Sequence, residues 1–300
     1  MNILHVGLMV DGRNVGLARE LKEQSEVYHE LSTGERNLNQ QILDVTEHRH
    51  FDAAFFQIQA ANVVHPNTFR VLRERGIYTM NWSGDIRRTT ESWFMETGAD
   101  LTLFSNLRDI EFMRARGKNA DFLQIGIDPE IFKKLDLPKS SEVVFMGNNY
   151  GAQFPLGAER LLIVNYVRSR GFQVYGSYQG ATGNLNGNQV AENEVYNRTK
   201  IAINHSHFAV GRYTSDRMFR ILGSGTFCLS HYYPGIEEDF EIGRDLEVYH
   251  SIDELDKKVK HYRYDDENRE RIAANGYKLA HEKFTYKQMA AKIMDYARKS

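Results

Sequence analysis

From its first residues to its last, the chain alternates short apolar runs with amphipathic stretches at helical spacing. Asn2–Val10, Phe51–Gln59, Ile77–Asn81, Ala99–Ser105 and Ala120–Ile125 read as buried strands. Leu17–Glu26, Val64–Gly76 and Leu107–Gly117 read as the helices between them. Such alternation predicts a parallel sheet covered by helices on both faces. Asp128–Ser141, with two prolines and several lysines, reads as a linker. The pattern then restarts. Glu142–Met146, Gln173–Gly176, Ile201–Asn204, Thr226–Leu229 and Leu246–Tyr249 are expected strands, and Gly157–Arg170, Ala191–Lys200, Ile252–Tyr262, Glu267–Phe284 and Tyr286–Arg298 expected helices. The chain is therefore an α/β protein with two similarly built halves.

A length of 300 residues suits two domains. With a net charge of −2 there is no global basic field for nucleic acid or an anionic membrane. The lone cysteine, Cys228, cannot form an internal disulfide. Met1 leads directly into a strand without a basic leader, and no apolar run is long enough to span a bilayer, so a cytoplasmic location is expected.

In open α/β sheets, ligands bind beyond the C-terminal ends of the strands. In the first half, Asp11, Gln57, Gln59, Asn81, Trp82, Asp85, Asn106 and Asp128 fall at such ends. Each is also an ordinary turn-former or cap. Trp82 beside Asp85 suits a sugar ring stacked on the indole, with the carboxylate on a hydroxyl. Asp11, Gln57, Gln59 and Trp82 are thus ligand-binding candidates, and Asp85 a catalytic candidate. The glycines near Asp11 do not complete a dinucleotide fingerprint.

The second half offers two anion seats. One is the loop Gly147–Gly151 after the first strand, with Asn148 in it. The other is Arg212–Ser230, read as a loop, a helix, a glycine turn and a strand. Thr214, Ser215 and Asp216 can cap the helix, whose free N–H groups favour a phosphate flanked by Arg212 and Arg217. His205 and His207 stand at i, i+2 without a matching set of ligand residues, so no metal is expected.

The motif Tyr213–Gly225, followed by Tyr233–Phe240, Asp253–Leu255 and the Arg271, Gly276, Phe284–Thr285 tail, resembles glycosyltransferases of the GT-B fold. The likeness is to the group-1-like branch that includes the spore-maturation-type proteins. Phe145–Asn148 and Asn81–Asp85 resemble that branch as well. The resemblance implies two Rossmann-like domains facing a cleft: 1–135 on the acceptor side, 141–285 holding a nucleotide sugar, and a helix in 286–300 returning to the first domain. It implies no bound metal and no cofactor beyond the donor itself. Where many members carry two glutamates, this chain has Arg212 and Arg220. Asp216, one turn before Arg220, is the substitute candidate for the ribose.

The expected activity is transfer of a hexose from a nucleotide sugar, a UDP-sugar first, to an acceptor hydroxyl. The acceptor is a glycan, metabolite, protein or hydroxymethylated DNA base, the last needing a basic cleft that Arg87, Arg88, Arg108, Arg114 and Arg116 would line. Donor-binding candidates are Asn148, Lys200, Arg212, Ser215, Asp216, Arg217 and Arg220. The rival readings are a non-catalytic nucleotide-sugar-binding or partner-binding protein, and a sugar epimerase of the same fold.

Overall fold

The structure, a computed structural model, describes residues 1–8, 15–86 and 98–299. Asp11, Arg87 and Arg88 lie outside the described residues. The chain forms two compact units, Met1–Gly126 with Tyr286–Ser300, and Ile127–Thr285. Among the described residues no helix is long and apolar enough to cross a membrane.

Unit 1 is built on β1 (Asn2–Gly7), β2 (Val27–Ser32), β3 (Ala53–Phe56), β4 (Tyr78–Ser83), β5 (Leu101–Phe104) and β6 (Ala120–Phe122). They pair in the order β2-β1-β3-β4-β5-β6, all parallel. Its helices are α1 (Val15–Gln24), α2 (Leu38–His48), α3 (Pro66–Glu74), α4 (Leu107–Arg114) and, from the end of the chain, α10 (Tyr286–Arg298). Side chains alternate across a strand, so neighbouring apolar residues feed opposite faces. Leu4, Ala54 and Phe56 join the core beneath α2, α3 and α4, while Ile3, Ala53 and Phe55 join the core beneath α1 and α10. Tyr286, Met289, Ala290, Ile293, Met294 and Ala297 make the buried stripe of α10. Strand β2 and helix α2 were not among the expected elements. The residues of β2, VYHELS, lie at the sheet edge and none is fully buried, so they lack the apolar run of a central strand.

Unit 2 contains β7 (Ser141–Met146), β8 (Gln173–Tyr175), β9 (Thr199–Asn204), β10 (Phe227–His231) and β11 (Glu247–Tyr249). The parallel order is β11-β10-β9-β7-β8. Its helices are α5 (Gly157–Ser169), α6 (Gln189–Asn197), α7 (Asp216–Gly223), α8 (Ile252–Tyr262) and α9 (Asp266–Lys283). The chain runs from β7 out to β8, then returns to the other side of β7 for β9. The C-terminal ends of β7 and β9 therefore form a topological switch point, where such sheets open a crevice.

The stretch expected as a linker belongs to unit 2. Phe132 is buried, the Leu135 amide donates to Asn197 Oδ1 (2.7 Å) and Lys139 Nζ donates to the Thr199 carbonyl (2.9 Å). These bonds move the boundary from near 135 to Gly126/Ile127.

Helix α9 packs tightly through Gly276. A Cβ there would stand 2.4 Å from the Asp245 carbonyl oxygen and 2.7 Å from Leu222 Cδ2. Alanine is favoured over glycine inside a helix by about 1 kcal/mol. Overpacking a tight core contact costs about 1–3 kcal/mol. Gly276→Ala is therefore expected to lower the urea midpoint without changing the denaturant slope. A raised midpoint would show that α9 yields to the added methyl.

Candidate functional site

The switch point of unit 2 opens at Gly147, directly after β7. Its φ is +151°, and a Cβ would stand 2.0 Å from Arg160 Nη2 and 2.9 Å from Arg217 Nη2. Only a residue without a side chain leaves room there for two guanidiniums. Gly176 braces the loop from behind: its φ is +134°, and a Cβ would lie 1.8 Å from the Gly147 carbonyl oxygen.

Arg160 lies on the buried face of α5, with Gly157, Ile163, Val164 and Val167. It is 1% exposed. Its Nε donates to the Tyr178 hydroxyl (3.0 Å) and its Nη1 to the His205 carbonyl. Arg217, in the first turn of α7, reaches the same place from the other side. Its Nη1 donates to Asn204 Oδ1 (3.2 Å) and to the His205 carbonyl (3.3 Å). Both guanidiniums lie over the Phe145 ring, at 4.9 and 5.7 Å from its centre. Asn204 ties the seat together, accepting from Ser215 Oγ (3.0 Å) and donating to Ser230 Oγ (2.9 Å).

Among the described residues neither Arg160 nor Arg217 has a carboxylate partner; each is held by neutral oxygens. Burial, and then the charge of Arg217, bring the Arg160 guanidinium down to about 10, so it remains a cation at neutral pH. Two adjacent cations without a counter-ion leave the seat electrostatically unbalanced. An anion with several oxygens answers both forks.

The histidines beside it are neutral. Burial, then His231 and the two arginines, push His205 down to about 2. Burial, then Arg160, lowers His207 to about 4. His207 packs between the rings of Tyr150 and Phe154.

The sequence candidates divide. Arg217 and Ser215 come to the seat, Ser215 through Asn204 and without a side-chain cap on α7. Asn148 stands exposed on the adjoining loop, its carbonyl accepting from the Tyr178 hydroxyl (3.2 Å). Asp216 is half-exposed at the start of α7. Three expected donor ligands are held elsewhere. Arg212 forms a fork on Asp239 (3.0 and 2.8 Å) with a further pair to Glu238, and Asp239 raises its pKa. Arg220 is clamped by Glu192 (2.8 Å) and Asp216 (2.7 Å). Lys200 pairs with Glu142 (3.0 Å) near the start of β9, the end of the strand away from the switch point.

In unit 1, Asp85 is exposed just past β4. Trp82 is 5% exposed and donates through Nε1 to the Leu123 carbonyl (2.9 Å), so its ring belongs to the core and offers no face for stacking. Gln57 accepts from the Leu8 amide (3.2 Å) and contacts His5 Nε2 (3.1 Å), with its own Nε2 buried and without a hydrogen-bond partner among the described residues. Gln59 meets Ser83 Oγ (3.3 Å). Arg160 and Asn204 were not among the candidates. The available signal was an arginine on the apolar face of a helix, at i−3, i−4 and i−7 from Ile163, Val164 and Val167.

Residues 159–295 match the family model described as glycosyl transferase-like. No curated protein matches the chain. Solved structures do. Anabaena HepE in complex with UDP and glucose is 11% identical with a TM-score of 0.67, each chain covered completely. A glycosyltransferase from Rickettsia africae is 10% identical with a TM-score of 0.68, covering 99% of this chain and 98% of its own. Sucrose-phosphate synthase from Thermosynechococcus elongatus is 10% identical with a TM-score of 0.65, covering 100% and 98%.

Because the seat needs a bare Gly147, Gly147→Ala is expected to displace the Arg160 and Arg217 guanidiniums. Calorimetric titration with inorganic pyrophosphate should show affinity falling by at least about tenfold, the loss of roughly one charge-assisted bond. Unchanged affinity would place the anion elsewhere.

Proposed function

We propose that this chain, whose residues 159–295 match the family model described as glycosyl transferase-like and whose fold is that of GT-B glycosyltransferases, moves a hexose from a UDP-sugar to an acceptor hydroxyl. The observation that carries the reading is the pair Arg160 and Arg217, converging on Gly147 at the switch point of unit 2 with no carboxylate partner on either among the described residues. Structures of HepE with UDP and with UDP-glucose, at TM-scores of 0.66 and 0.62, support uridine as the nucleotide.

Breaking the bond between the sugar's anomeric carbon and the diphosphate moves negative charge onto the leaving phosphate oxygens. Fixed guanidiniums aimed at those oxygens lower the barrier because they need no reorganisation as the charge develops. Arg160 is fixed by Tyr178 and the His205 carbonyl, Arg217 by Asn204 and the same carbonyl. The amides at the start of α7 add neutral donors, and Ser215 braces Asn204 by donating to its Oδ1. Asp216 takes the ribose hydroxyls, oriented by its pair with Arg220. Asp85 orients or deprotonates the acceptor hydroxyl. A glycan acceptor suits the surface better than a hydroxymethylated DNA base. Of the arginines that would line a DNA groove, Arg108 pairs with Asp109, Arg114 with Asp121, and Arg116 folds back on Phe112.

The second reading, donor binding without transfer, draws on Arg212 and Arg220 standing where glutamates are expected. One experiment separates the two. The protein is incubated without acceptor with UDP-, GDP-, ADP- and dTDP-sugars, and released nucleotide and sugar are measured by mass spectrometry. Slow hydrolysis of a UDP-sugar is expected, reduced by about 10²–10³ in Arg217→Ala. Binding without release would favour the non-catalytic reading. Near-normal release from Arg217→Ala would remove the diphosphate assignment.

A further inference from the structure

Beside the arginine pair, unit 2 gathers a second set of side chains that the transfer chemistry does not use. Glu159 in the first turn of α5, His205 just after β9 and His231 at the end of β10 each offer one donor atom, all within 4.8 Å of one another. His231 Nε2 stands 3.3 Å from Glu159 Oε1. That is about the edge of a tetrahedron whose metal bonds are about 2.0–2.2 Å. The His205 and His231 rings lie 4.5 Å apart, centre to centre.

The decisive observation is His205. It is 0% exposed. Its Nδ1 is tied to the Tyr249 hydroxyl at 2.9 Å, while Nε2 is buried with no hydrogen-bond partner among the described residues. A buried polar atom left unpaired calls for an explanation. Tyr249 holds the ring from one side as an outer-shell partner holds a metal-binding imidazole, with the other nitrogen left for a ligand bond.

We propose that Glu159, His205 and His231 bind one divalent transition-metal ion of the zinc class, with a fourth position left to water or an anion. Two imidazoles and one carboxylate favour such an ion over magnesium or calcium, which take oxygen ligands. Arg160 and Arg217 donate to the carbonyl of His205, and their charge opposes a cation. The Glu159 carboxylate offsets part of it, so affinity below that of a closed four-ligand structural site is expected. The ion would tie α5, β9 and β10 together beside the anion seat.

The test uses the full chain, stripped with a chelator and titrated separately with zinc and cobalt(II) chloride without nucleotide. One equivalent of zinc should bind by calorimetry and raise the unfolding midpoint, and cobalt should give the visible absorption of a tetrahedral site. His231→Ala and Glu159→Gln, both at partly exposed positions, should each weaken zinc binding by more than about tenfold, the lower bound for changes even to outer-shell groups. Their metal-free unfolding midpoints should stay close to that of the unmodified chain, and if one variant fails to fold the other carries the comparison. Absence of saturable zinc binding, or binding retained in both variants, would overturn the site. These readouts do not involve the donor, so failure here leaves the transfer reading standing.

Discussion

A buried guanidinium beside a second guanidinium, with no carboxylate partner on either among the described residues, is the constraint around which unit 2 is arranged. Removing a charge from water costs several kcal/mol after relaxation. Arg160 offsets that cost with neutral oxygens and the face of Phe145. Such contacts satisfy donors but leave the charge uncancelled. Arg269, also buried, shows the ordinary arrangement, with Asp266 and Glu270 beside it. The contrast is between an arginine balanced by carboxylates and one held by neutral oxygens.

Much of the surrounding backbone serves that seat. Gly147 gives up a side chain so that two guanidiniums can approach, and Gly176 gives up another so that the Gly147 carbonyl can sit against it. Gly157, at the start of α5, would place a Cβ 2.1 Å from the Gly151 carbonyl oxygen, so the loop folds flat onto the helix that carries Arg160. Three close approaches fix one short loop, and each depends on a residue whose freedom in sequence looks like flexibility. Here the glycines serve compactness.

The alternation of elements was legible in the sequence because parallel strands buried on both faces read as apolar runs, as in Ala53–Phe56. Edge strand β2 was not, because an edge does not need that run. The cluster around Gly147 was half legible. Arg217 and Ser215 lie in a local motif whose helix start announces itself. Arg160 and Asn204 come from other elements, and only the crossover of the sheet brings them together. Trp82 misled because its position at a strand end is the same whether the ring faces a ligand or the core, and the Leu123 carbonyl decides between them.

Arg212 and Arg220 stand where the resemblance leads one to expect carboxylates, yet carboxylates are not missing from their surroundings. Asp239 and Glu238 face Arg212, while Asp216 and Glu192 face Arg220. Each guanidinium is thus offset by neighbouring carboxylates. Among the described residues at the switch point, the cations without a carboxylate partner are then Arg160 and Arg217, and in the proposed reading the carboxylates around α7 serve hydroxyl groups. A charge reversal at two motif positions can thus leave the electrostatic pattern of the site intact, because the pattern depends on which charges lack partners. The identities of the residues at those two positions do not by themselves decide it.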